Sequence, residues 1–194
     1  MKIILASQSP RRRELLGLIT ENFLVRPTGC DESFTCADPA EHAHQLALRK
    51  CAAAVEAQPL NAADAVIAAD TVVVCDGKAL GKPATEQEAA QMLQLLSGCD
   101  HEVMTGVTVL RGDRERVFTE VTDLHFRPLS EGEIARYVAS GEPMDKAGSY
   151  GIQGGAALFA DRMHGDYYNV MGLPVCRLGD TLKAVAPELM GEFV

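Results

Sequence analysis

The chain has 194 residues, 47% apolar and 23% charged, a composition that excludes disorder and supplies a full hydrophobic core. Its formal charge of −9 argues against nucleic-acid binding, which rests on many Lys and Arg contacts to phosphates, yet permits a small anionic ligand where basic residues cluster. No apolar run approaches a membrane span and Lys2 leads directly into Ile3-Ile4-Leu5-Ala6, so the expectation is a cytoplasmic protein with neither signal peptide nor membrane anchor.

The length makes one folding unit over 1–194 the default, with room for a sheet split into two lobes. Ile3 to Ala6 reads as a short buried strand, after which Ser9 caps a helix with Pro10 in its first turn and Leu15, Leu16 and Ile19 on its apolar side. Asp38-Pro39, with Glu41 three residues past the cap, opens a second helix through Leu46, Ala47, Lys50 and Ala54, ending before Pro59. Val66 to Cys75 is apolar apart from Asp70 and Thr71 and reads as a buried strand; Asp76-Gly77 then signals a hairpin whose return strand ends near Lys82-Pro83. Thr85 and Glu88 form a capping box for a helix carrying Ala89, Met92, Leu95 and Leu96 and stopping at Ser97-Gly98. Strands are expected over 102–110 and 115–126, with Arg111-Gly112-Asp113 as their turn rather than an adhesion motif. Ser130 and Glu133 cap a fourth helix closed by Ser140-Gly141, and a glycine-rich stretch from Gly148 to Gly155 precedes a strand near 156–159 and a last helix after Pro174. Apolar runs alternating with capped helices make the chain α/β.

Cysteine and histidine spacing offers no metal site: the six cysteines form no Cys-x-x-Cys pair and read as reduced thiols, and His42 and His44 lie two apart on a predicted helix, facing apart. Three other features conflict with simple packing, and such conflicts are where function shows. Arg11-Arg12-Arg13 fall in the first turn of a helix, where the dipole favours acids, so an anion held by the Ser7-Gln8-Ser9 turn and its backbone N–H groups would resolve the conflict; the alternative is a solvated basic turn. Asp70 lies between Val66-Ile67-Ala68-Ala69 and Val72-Val73-Val74, where a carboxylate needs a cation or metal partner. It either holds a metal and works on water, or bridges within the sheet. The Met144 to Gly155 stretch lets the backbone turn sharply or approach a ligand but does not match Gly-x-Gly-x-x-Gly, so a binding loop and an ordinary loop both remain open.

Taken in order, these segments resemble the Maf family of nucleotide pyrophosphatases, in the branch acting on dTTP and UTP. The resemblance runs through Leu5-Ala6-Ser7-Gln8-Ser9-Pro10-Arg11-Arg12, Asp31-Glu32, Lys50, Ala69-Asp70-Thr71-Val72-Val73, Gly81-Lys82-Pro83, Asp145 to Gly154 and Gly165 to Pro174. It implies a mixed twisted sheet flanked by helices, with two lobes around a deep central cleft (Maf/ITPase-like), frequently dimeric. It also implies hydrolysis of a nucleoside triphosphate between its α and β phosphates, with a divalent cation (Mg²⁺ or Mn²⁺) as cofactor.

By the same resemblance Asp70 is the proton acceptor, and Glu32 joins Asp70 around the metal. Ser7, Ser9, Arg12, Lys50 and Lys82 grip the triphosphate, and Arg11, Thr71 and Gln153 set the pyrimidine specificity. Arg49-Lys50-Cys51 departs from the family's usual Glu-Lys-Ala, which bears on how Lys50 is oriented. The partner expected is a small nucleoside triphosphate rather than a nucleic acid or membrane. Competing readings are a pyrophosphatase for noncanonical purine triphosphates and a nucleotide-binding regulator of cell division.

Overall fold

The structure, a computed structural model, describes residues 2–27, 29–30, 36–57 and 61–189. In chain order the elements are β1 (Ile3–Leu5), α1 (Pro10–Gly17), β2 (Phe23–Val25), α2 (Pro39–Ala57), β3 (Ala65–Cys75), β4 (Lys78–Leu80) and α3 (Glu86–Leu96). They continue as β5 (Asp100–Arg111), β6 (Arg114–Phe126), α4 (Glu131–Ala139), β7 (Ala160–His164), α5 (Tyr167–Met171) and α6 (Val175–Val185). The strands form one mixed sheet in the order β2-β1-β3-β5-β6-β7, with β4 beside β3. Strand β1 pairs in parallel with β2 and β3, whereas β3–β4 and β6–β7 are antiparallel. The expectation of a mixed α/β sheet flanked by helices therefore holds. No described helix is long and apolar enough to cross a membrane.

Contacts divide the chain into two compact units. The first comprises Met1–Asp70, Thr105–Glu120 and Gly172–Val194. Its core places Ile4 and Ala6 of the β1 segment and Val66 and Ala68 of β3 against Cys51 and Ala54 of α2. Helix α2 starts as its sequence demands, because Asp38 Oδ1 accepts the Ala40 N–H at 3.0 Å and so takes up an orphan donor. It also crosses β5 very closely: a Cβ on Gly106 would lie 2.7 Å from the His44 nitrogen and nearer still to the Ala43 carbonyl.

The second unit comprises Thr71–Met104 and Val121–Met171. Its core gathers Val73 and Cys75, Leu93 and Leu96 of α3, Phe126, Ile134 and Tyr137 of α4, and Tyr150 and Phe159. Asp76 and Gly77 both have positive φ (49° and 72°), as a type I′ hairpin between β3 and β4 requires. Helix α4 carries the full Ser130/Glu133 capping box. At α3 only half of the expected box forms: Thr85 Oγ1 accepts the Glu88 N–H, but Glu88 Oε2 takes the Ala84 N–H at 2.8 Å instead of the cap's own. The strand expected near 156–159 is a 3-10 turn, Gly155–Leu158, and the strand follows it at Ala160–His164.

Candidate active site

In the first unit the Ser7-Gln8-Ser9 turn leaves the C-terminal end of β1, the position where ligands bind in parallel α/β sheets. Ser7 Oγ accepts the Ser9 N–H at 3.2 Å, and Ser9 Oγ accepts the Arg12 N–H at 3.4 Å. Ser9 is thus the N-cap of α1, with Pro10 behind it and no acidic residue in the first turn. The three arginines retain their conflict with the dipole. Arg12 Nε donates to the Gly172 carbonyl at 2.8 Å, which fixes the guanidinium plane from one side. An open groove of about 810 Å³ runs from Ser7, Ser9 and Arg13 along Phe23 and Val25, but its walls do not include Arg12 or Asp70.

Two substitutions separate the structural role of Ser9 from contact with an anion. Ser9→Ala is expected to lose the cap and about 1 kcal/mol of stability, read as a lower melting temperature. Ser9→Asp restores a cap and should recover that loss, while its negative charge raises KM for a triphosphate about tenfold or more. Equal KM values for the two variants would leave Ser9 with a structural role alone.

Asp70, three residues beyond the β1-paired Ile67, is 8% exposed. Strand alternation puts it on the face of Val66 and Ala68, the residues packed on α2. Lys50 stands four residues before Ala54 on that helix and therefore shares its inward face. The outcome is an ion pair, Lys50 Nζ donating to Asp70 Oδ1 at 2.6 Å, with both side chains only 12% exposed. The cation that the buried carboxylate required is thus Lys50.

Thr71, Lys82 and Gln153 belong to the second unit. The hairpin sets Leu80 opposite Val73, so the chain running on through Gly81 to Lys82 returns toward the level of Thr71. Gly148 N donates to the Gly81 carbonyl at 3.0 Å, and a Cβ on Gly148 would lie 2.8 Å from Val73 Cγ2. These contacts bring the Lys82 segment, β3 near Thr71 and the start of the Gln153 loop together. Lys82 and Gln153 are exposed and Thr71 is half-buried. The motif from Gly165 to Pro174 does structural work at its start: fully buried Asn169 donates to the Val103 carbonyl (3.0 Å) and Thr122 Oγ1 (2.9 Å). Thr122 Oγ1 also exchanges hydrogen bonds with the Asp166 backbone.

Sequence reasoning did not single out Tyr137, Glu142 or Gly172 for the site. No motif carries the first two as chemistry; the Gly172 carbonyl acts through its backbone, which composition does not reveal.

Asp31 and Glu32 lie outside the described residues. Among the described residues no group of three or more His, Cys, Asp or Glu could hold a metal ion. Among the described residues Asp70 is the one buried carboxylate, with one oxygen engaged by Lys50. That single carboxylate is not a cation site by itself; a Mg²⁺-like ion, which takes one or two carboxylates and completes its shell with substrate phosphates and water, would need a second acid beside its other oxygen.

A mixed sheet that carries a serine-capped basic helix start after β1 and a buried Asp–Lys pair between β3 and α2 is an α/β arrangement suited to a phosphate ester or anhydride. Residues 2–185 match the family described as Maf-like protein, and the chain belongs to that family. It is 49% identical over 177 residues to a dTTP/UTP pyrophosphatase of Bacillus pumilus (strain SAFR-032), covering 91% of this chain and 92% of the relative. It is 51% identical over 177 residues to one from Symbiobacterium thermophilum, covering 91% and 90%. A dTTP/UTP pyrophosphatase of Geobacillus sp. (strain WCH70) is 50% identical over 177 residues, covering 91% and 94%.

Proposed function

We propose that this protein is a nucleoside triphosphate pyrophosphatase that hydrolyses dTTP and UTP to the monophosphate and pyrophosphate, clearing these or related nucleotides from the pool. The observation that carries the chemistry is Asp70, buried within β3 three residues past the β1-paired Ile67 and held by Lys50. The substrate class is supported by relatives about half identical over nine-tenths of the chain, all named for that activity.

In this reading Ser7, Ser9 and Arg12 with the α1 N-terminus receive the phosphates. Lys50 holds the Asp70 carboxylate in one orientation and adds positive charge where the phosphate chain arrives. Asp70 orients water and takes its proton; the water oxygen bonds to the α phosphorus, the bond from that phosphorus to the bridging oxygen breaks, and pyrophosphate leaves. Asp70 and Glu32 are the residues that would hold a divalent cation, which when bound offsets charge on the phosphate oxygens. Lys82 contributes a further cation to the triphosphate, and Arg11, Thr71 and Gln153 set the choice of base.

Gln153 both donates and accepts, matching the edge of uracil and thymine, whereas ionised Glu only accepts. Gln153→Glu is therefore expected to lower kcat/KM for UTP and dTTP by about 10²-fold, with smaller change for ITP. A panel of nucleotides assayed for pyrophosphate release checks this, and equal loss across the panel would contradict a role in base reading. The same panel answers the two competing readings: preference for ITP identifies a purine enzyme, and binding without turnover identifies a regulator.

A further inference from the structure

We propose that Tyr137 and Glu142 are positioning residues that together hold the loop carrying Gln153 in its working conformation, a role that rests on the reading of Gln153 as the base-contacting residue. Tyr137 lies near the end of α4, its ring edge-on to Phe159 with centroids 5.1 Å apart. Its hydroxyl donates to Glu142 Oε1 at 2.9 Å and accepts the Gly151 N–H at 2.9 Å. The other carboxylate oxygen, Glu142 Oε2, accepts the Gly155 N–H at 3.1 Å. Both ends of the 151–155 segment are therefore tied to one side-chain pair, and Gln153 sits exposed at its middle. A further bond inside the segment, Gly154 N to the Gly151 carbonyl at 3.0 Å, closes the turn.

The glycines are fitted to this arrangement. A Cβ on Gly154 would lie 2.7 Å from Glu142 Oε2 and nearer still to Oε1, and a Cβ on Gly151 would lie 2.7 Å from Lys146 Cε. Lys146 is itself held by the Glu142 carbonyl and Asp145 Oδ1. A segment with three glycines among five residues loses more conformational freedom on ordering than any other kind, so without tethers its amide side chain would sample many positions. Burial pushes the Tyr137 phenol upward, the facing Glu142 carboxylate adds to this while the Gly151 N–H opposes it, and the hydroxyl stays protonated as a donor. Orientation of one polar group toward a base is what such preorganisation supplies.

The test compares Tyr137→Phe, Glu142→Gln, Gln153→Ala and the Tyr137→Phe/Gln153→Ala double variant in two assays. One is KM for UTP; the other is the inhibition constant of inorganic tripolyphosphate, which has no base to read. Gln153→Ala is expected to raise KM for UTP roughly tenfold, Tyr137→Phe and Glu142→Gln about fivefold, and none to change tripolyphosphate inhibition. The double variant should be no worse than Gln153→Ala alone, because the tether acts only through that side chain. If Gln153→Ala raises KM while both Tyr137→Phe and Glu142→Gln leave it unchanged, the positioning role is wrong and the base reading stands. If Gln153→Ala itself has no effect, both fall together. Parallel loss of tripolyphosphate inhibition in both tether variants marks a merely structural role and overturns the proposal. Should Tyr137→Phe not fold, Glu142→Gln decides alone, since it keeps the size of the side chain but can accept only one of the two hydrogen bonds.

Discussion

Asp70→Asn is expected to lower kcat for dTTP and UTP by about 10²- to 10⁴-fold, the usual worth of a positioned general base, with KM changed only a few-fold. The amide keeps the shape and can still accept from Lys50, but it takes no proton from water. The substitution also leaves the Lys50 ammonium, 12% exposed, without its counter-charge. That should cost about 2 kcal/mol, below the full penalty for a broken buried pair because the amide oxygen remains. A second variant separates the two effects: Asp70→Asn/Lys50→Met removes both charges and should recover most of the lost stability without recovering turnover. Near-normal activity in Asp70→Asn would remove this residue from the chemistry. Recovery of turnover in the double variant would mean that the carboxylate served only to neutralise Lys50.

Gly106→Ala should have the largest effect on the fold. The added methyl would meet the Ala43 carbonyl and the His44 nitrogen, which are backbone atoms of α2 and cannot swing aside as a flexible side chain would. Either β5 or α2 must shift. Overpacking of this kind costs about 3 kcal/mol or more, equivalent to roughly a 6–12 °C fall in melting temperature for a chain of this size. The damage should extend to activity, since α2 carries Lys50 to Asp70. Thermal unfolding followed by circular dichroism, with UTP turnover measured well below the transition, reads both consequences. A melting temperature within 2 °C of wild type would show that the helix is free to move away from the strand.

The parts of the fold written by local chemistry were legible. Ile3 to Ala6, the Ser9 cap with Pro10, the Asp76-Gly77 hairpin and the Ser130/Glu133 box each combine an apolar period with its own punctuation, and each stands in the structure. Elements whose signal is weak were missed or displaced. Strand β2 has three residues, with Leu24 and Val25 exposed at a sheet edge, so no burial pattern marks it. Strand β7 is an edge strand whose Asp161, Arg162 and His164 read as loop residues. The nearby apolar run drew the strand assignment to 156–159, where Ala156 and Phe159 instead bury themselves from a 3-10 turn. Helix α5, five residues long, is too short to show a period.

The site divides in the same way. That Asp70 needed a cation follows from its apolar neighbours, but which cation does not, because Lys50 is twenty residues away in sequence and reaches it only through the packing of α2 on β3. The lysine's departure from the usual Glu-Lys-Ala context leaves this pair intact. Tyr137 and Glu142 were invisible for a related reason. Each is an ordinary helix-end or turn residue until the glycine loop folds back and offers its N–H groups to them.

The most direct measurement is a product analysis of UTP and dTTP incubated with the protein and Mg²⁺, resolving nucleotides by chromatography and quantifying pyrophosphate and inorganic phosphate separately. Wild type is expected to form monophosphate and pyrophosphate in equal amounts. Nucleoside diphosphate with inorganic phosphate, or tight nucleotide binding with neither product formed, would contradict it.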